Sequence, residues 1–274
     1  MAEMTVRRVV IACDAACNIV LAVRSAAALA ARWNATLHGV FLEDENLYRL
    51  AALPFGRQVT LSSPVVSEKI SAADLEKLSP AMGAAMRRAL AEAAAERGIA
   101  WSFGIVRDLP TMAALSGIDA DLLVVESVSR PFAGSWRPPS AWGKLTGESA
   151  RTVLIRRQAH DGQGPVLVLT GSSARRDRLL ASAVTVADPG DDIVVLVGDG
   201  SPSAIDAATE AAKRLTTPQR RSFRLEAAPT DMAGLLRRID RLQPGLIVVD
   251  AGEANGDAVR DLLIGTSCDV LLVR

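Results

Sequence analysis

Reactive side chains are scarce in this sequence. Its 274 residues include three cysteines, two histidines and one tyrosine, and aromatic residues make up only 4% of it. Cys13 and Cys17 are spaced CxxxC, not the CxxC of redox and zinc sites, and Cys268 is remote in sequence, so no disulfide framework or metal cluster is expected. Free thiols packed near a strand end fit the usual burial of cysteine. With only His38 and His160 as imidazoles, one inside a strand-like run and one in a polar stretch, a Ser-His-Asp triad or a histidine metal site has little material. GxSxG, HExxH and GxxxxGK[ST] are absent. Gly143 and Lys144 lack the upstream glycine and are followed by Leu145, and Gly198 and Gly200 form an isolated GxG. The TGSS starting at Thr170 has the composition of an ordinary turn.

Excess charge is also missing. The 31 basic and 31 acidic residues cancel, which argues against a nucleic-acid partner or an anionic membrane. No apolar run is long enough to span a bilayer and no charged start leads into an apolar signal segment, so a cytoplasmic location is expected.

What the sequence does have is short apolar runs alternating with helical patterns. Leu122–Val125 and Val153–Ile155 read as neighbouring strands of a parallel sheet, because strands covered on both faces lose the polar alternation. Arg7–Cys13 reads as the first strand and Thr36–Leu42 as the second, with Ile19, Val23, Ala27, Ala30 and Trp33 at helical spacing between them. Ser79 followed by Pro80 reads as the start of a helix that ends at Gly98. Ala100–Val106 is the third strand. In such sheets ligands sit outside the carboxyl ends of the strands, which directs attention to the loop after Val125.

The stretch ADLLVVES (Ala120–Ser127) and the later TVLIRR (Thr152–Arg157) resemble the two ends of the C-terminal motif of the universal stress protein family. The resemblance implies the adenine nucleotide alpha hydrolase-like fold, a doubly wound open parallel sheet. It places Glu126, Ser129 and Pro139 where the nucleotide-binding branch has the glycines of its phosphate loop, and only Ser140 survives. Glu126 adds negative charge, and Pro139 has neither an N–H nor freedom in φ. The positions of Asp14 and Val40 flank adenine and ribose in nucleotide-binding members. Asp14 is equally suited to capping the following helix, and a valine in a strand is expected anyway. Arg130, Arg137 and Lys144 could replace the lost backbone donors around phosphates. The intervening segment, Ser129–Trp142, concentrates Phe132, Trp136 and Trp142 with three prolines. It could fill the vacant cleft, cover a partner surface or form a lid over a small molecule.

The same ending recurs at the C-terminus, where Pro244–Asp250 and Cys268–Arg274 repeat the two strands around a helix from Asp257 to about Ser267. The repeat implies two tandem domains, 1–157 and 165–274, joined by the polar linker 158–164. Thr170 falls where the second unit would carry the first-strand aspartate, and its phosphate loop shrinks to Ala251–Gly256 with Asp250 and Glu253 in place of glycines. Last strands in the family commonly pair across a dimer, so Thr152–Arg156 is expected near Val270–Arg274 as an internal pseudo-dimer, and a homodimer through a free edge stays open. The functional expectation is a non-catalytic stress-response or regulatory protein that needs no cofactor and acts by binding an unknown protein partner or small molecule. The alternatives are an ATP or AMP binder with weak hydrolysis that uses Asp14, Val40 and Ser140, and a sensor of an apolar small molecule.

Overall fold

In a computed structural model of the chain, the described residues are 6–14, 17–44, 49, 72–108, 119–127, 150–157, 163–171, 175–188, 190–198, 200–216, 222–251 and 256–273. The apolar runs become ten strands: β1 (Arg8–Cys13), β2 (Thr36–Asp44), β3 (Trp101–Asp108), β4 (Ala120–Ser127), β5 (Ala150–Arg157), β6 (Val166–Thr170), β7 (Ile193–Val197), β8 (Phe223–Ala227), β9 (Leu246–Asp250) and β10 (Asp269–Val273). Between them run α1 (Ile19–Arg32), α2 (Ala72–Arg97), α3 (Arg176–Val186), α4 (Pro202–Thr216), α5 (Met232–Leu242) and α6 (Gly256–Gly265).

All ten strands join one sheet, in the order β3-β2-β1-β4-β5-β10-β9-β6-β7-β8. Every neighbouring pair is parallel except β5 and β10, which run antiparallel with Val270 opposite Ile155 and Val273 opposite Thr152. The chain order therefore reverses direction twice across the sheet, beside β1 and beside β6. Alternating side chains serve two layers, as strand geometry requires. Val9, Ile11, Leu122, Val124, Val166, Val168 and Val248 pack under α1 to α4. Val10, Leu123, Leu167, Ile247, Val270 and Leu272 face the side on which α5 and α6 supply Ile239, Val259, Leu262 and Leu263. α1 lies close to the sheet because small residues, Ala22, Ala26, Ala27 and Ala30, line its buried face. Asn18 caps it, accepting from Leu21 N at 3.3 Å. Among the described residues no helix is long and apolar enough to cross a membrane.

Expected and observed bounds differ by one or two residues at β1, β2, β3 and α6, and by more at one helix start. α2 does not begin at Ser79; it begins at Ala72 and carries Pro80 inside it. A proline removes a single intrahelical bond and tolerates the first turn, so a Ser-Pro pair reads the same at a start and at a tolerated interior position. The Ser79 side chain caps nothing and instead donates to Glu43 Oε1 at 2.6 Å, fixing α2 to the end of β2.

Side-chain contacts also join the two halves, and a glycine turn seats the start of the second. Arg32, in the last turn of α1, donates to the carbonyls of Val186 and Ala187 at the end of α3 and pairs with Asp188. Gly164 precedes β6 with φ +118°, and a Cβ there would overlap the carbonyl oxygen of Gln243. Only glycine fits both the backbone angle and the space. Gly164→Ala is therefore expected to lower stability by about 2 kcal/mol, read as a lower urea midpoint at unchanged slope. An unshifted midpoint would show that this turn does not hold the α5–β9 connection against β6.

Candidate functional site

The crevice of the first half lies where β1 separates β2 from β4. Asp14 follows the last residue of β1 and is exposed, and its carbonyl accepts from Cys17 N at 3.2 Å in the turn that leads into α1. Val40 is buried in β2 opposite Ala12, and Ala12 is opposite Val125 of β4, one residue before Glu126. Asp14, Val40 and Glu126 thus belong to the carboxyl ends of three adjacent strands. Ser129, Arg130, Arg137, Pro139, Ser140 and Lys144, together with the aromatic loop, lie outside the described residues. Cys13 is buried and Cys17 partly buried in the core beneath α1, and Cys268 is buried in the opposite layer.

The ladder register locates the matching positions in the second half. Leu122 pairs with Val9 and Leu246 with Val166, while ADLLVVE and PGLIVVD run in step from those residues. Four residues on, Cys13 corresponds to Thr170, so the place of Asp14 falls to Gly171 and not to Thr170 as the sequence suggests. Val40 corresponds to Leu196, because Ala12 pairs with Val40 and Leu169 with Leu196. Glu126 corresponds to Asp250. Thr170 is buried, with its hydroxyl donating to Leu196 O at 3.3 Å.

Gly171, Leu196 and Asp250 all line one cavity of about 350 Å³ at the carboxyl ends of β6, β7 and β9. Leu169 and Val249 complete its floor, Met232 and Leu235 of α5 form one wall, and Val259 of α6 forms another. Asp231 holds the start of α5 in place, accepting from Gly234 N at 2.6 Å. Asp250 is 5% exposed and is bridged by Arg175, whose Nη1 donates to Oδ1 at 2.9 Å. The pair ties the first residues of α3 to the end of β9. Sequence reasoning singled out Asp250 but missed Arg175, and it missed the apolar lining because those side chains look the same as core.

No family model matches the chain, and no curated protein matches it significantly. Solved structures do match. A universal stress protein from Archaeoglobus fulgidus DSM 4304 superposes with a TM-score of 0.63 at 10% identity, over 99% of this chain and 97% of that one. A candidate universal stress protein from Pseudomonas aeruginosa UCBPP-PA14 gives 0.57 at 16% identity, over 100% and 95%. The fold is that of the universal stress proteins. The cytoplasmic domain of a prokaryotic cation chloride cotransporter also matches, with a TM-score of 0.51 at 9% identity over 97% and 94%. At these identities the likeness concerns architecture, and a universal stress protein fold leaves the chemistry of its crevices to be read from side chains.

Two polar clusters lie on β2. His38 in β2 shares a 2.7 Å hydrogen bond with Ser102 of β3, and burial, followed by the nearby Arg8 charge, lowers its pKa and favours the neutral ring. Among the described residues no group of three or more His, Cys, Asp or Glu side chains could hold a metal ion. Glu43, near the end of β2, accepts from Ser79 and, at 2.7 Å, from Arg107 Nε. Burial alone would raise its pKa, but the hydrogen bonds from Ser79 and Arg107 and the Arg107 charge outweigh that, leaving it below 4.5. A carboxyl whose folded pKa is depressed stabilises the fold above its unfolded value and loses that contribution as pH falls through the folded value. Glu43→Gln should therefore cost about 1 kcal/mol at neutral pH, discounted for the exposed Arg107, and progressively less below pH 4.5. Urea unfolding of both proteins across pH 3 to 7 checks this, and a difference that does not shrink on acidification would contradict the assignment.

Proposed function

We propose that this chain is a non-catalytic, universal-stress-protein-like regulatory protein that acts by binding, with 1–157 and 165–274 as tandem units paired into an internal pseudo-dimer. Supporting the tandem reading, the strand orders on either side of the β5–β10 pair match, β3-β2-β1-β4-β5 against β8-β7-β6-β9-β10. One observation carries the functional part. The three positions of the second crevice in register with Asp14, Val40 and Glu126 are Gly171, Leu196 and Asp250, and they line an apolar cavity whose charged group is a carboxylate. A nucleotide needs backbone N–H groups or cations facing its phosphates. Among its described residues this cavity offers them hydrocarbon and a carboxylate already paired with Arg175. Glu126 stands in register with Asp250 at the end of β4, so both units bring an acid to the strand end where the family loop brings glycine.

A second reading is favoured by Asp14, which lies exposed at the carboxyl end of β1 between two buried strands. On that reading the first unit binds ATP or AMP, with Asp14 and Val40 near the nucleoside and Ser140, Arg130, Arg137 or Lys144 near the phosphates.

Calorimetric titration of the full chain with ATP and AMP, with and without magnesium, separates the two. The expected result is no saturable heat at nucleotide concentrations up to about 1 mM. Saturable heat that disappears in Asp14→Ala would overturn the first reading and establish the second.

A further inference from the structure

We propose that the cavity at the carboxyl ends of β6, β7 and β9 binds an uncharged, mainly apolar small molecule that donates one hydrogen bond to Asp250. The inference deepens the reading of this chain as a binding protein by naming a site and a ligand class.

Size and lining come first. A volume of about 350 Å³ falls within the range of small-molecule sites, and Leu196, Val249, Met232, Leu235 and Val259 surround it. The space is a cleft partly open to solvent, and its hydrocarbon walls favour an apolar occupant over water. Two glycines stand in its lining. Gly171 has no side chain where the first half has the Asp14 carboxylate, and Gly198 lies against Thr170, its N–H donating to Thr170 O at 2.7 Å. The walls are built in advance of any ligand, since Asp231 caps α5 and Val259 and Leu262 fix α6 to the sheet.

Charge sets the rest of the chemistry. Asp250 is the acidic residue among the described lining residues; its Oδ2 is buried out of reach, so an O–H or N–H on the ligand is matched at Oδ1, which takes a second hydrogen bond beside that from Arg175. An anion would meet no cationic side chain among the described lining residues. A cation gains little, because the Arg175 guanidinium already bridges Oδ1 and neutralises the group. A neutral body with one donor satisfies both the hydrocarbon and the carboxylate.

The test uses three bicyclic probes, naphthalen-2-ol, naphthalene and naphthalene-2-carboxylate, titrated into the methyl-labelled full chain with the Met232 and Leu196 methyl resonances as reporters. Naphthalen-2-ol is expected to shift both methyls and to bind about tenfold more tightly than naphthalene, as a hydrogen bond to a charged acceptor implies, with the carboxylate weakest. In Asp250→Asn the preference for the alcohol should fall to about threefold or less, a ratio that a general loss of packing would not change selectively. In Ala228→Phe, which fills the cavity from the connection between β8 and α5, the shifts should vanish. No shift of Met232 and Leu196 by naphthalen-2-ol in the parent protein would overturn the proposal, as would tighter binding of the carboxylate or an alcohol preference unchanged in Asp250→Asn. Asp14-dependent heat with ATP alongside intact naphthalen-2-ol shifts would overturn the functional reading and leave this site standing.

Discussion

The antiparallel pairing of β5 with β10 is the constraint on which the rest of the molecule depends. Each of these strands would otherwise end a five-stranded sheet with a row of unpaired N–H and C=O groups. Their pairing buries Val153, Leu154 and Ile155 against Val270, Leu271 and Leu272, all at most 3% exposed. Full burial of such side chains contributes about 1.5–3 kcal/mol each. The Arg156–Asp269 ion pair, which spans the same seam at 3.1 Å, is partly exposed on the arginine side and worth far less. Apolar burial therefore holds the seam, and the ion pair selects the register that places Arg156 opposite Asp269. Everything outward follows in order: β4 and β9 are set by the seam, β1 and β6 by those, and the two crevices by where β1 and β6 stand.

The two crevices share a backbone plan and differ in chemistry. In the first, Asp14 puts a carboxylate at the end of the central strand. In the second, Gly171 has no side chain at that position, and Asp250, the acid in register with Glu126, is paired with Arg175. The end of β6 thus lacks the carboxylate that the end of β1 carries. Such a difference between the two halves needs no change of fold, because strand register and layer packing depend on the apolar positions and not on the residues that cap them.

Much of the fold was legible in the sequence because parallel strands buried on both faces read as unbroken apolar runs. The runs Leu122–Val125 and Val153–Ile155 lie within β4 and β5 for that reason. α2 was misplaced at its start because Ser79-Pro80 carries the signature of a helix N-terminus even where the helix passes through it. The second crevice was hidden for a different cause. Leu169, Leu196, Val249 and Met232 line a cavity, yet nothing in residue type separates a cavity wall from a packed core. The place of the first-strand acid was read one residue early, at Thr170, because only the ladder register shows that Gly171 stands level with Asp14. Arg175 could not be picked out among the arginines of an Arg-rich chain before its distance to Asp250 was known.

Native-state hydrogen exchange on the full chain tests the seam most directly. If β5 and β10 are central strands of one cooperative sheet, their amides that point across the seam should exchange only through global unfolding, as slowly as those of β1 and β6. Seam amides that exchange as fast as those of the outermost strand, β8, would mean that the halves part readily. The single ten-stranded sheet would then not describe the protein in solution.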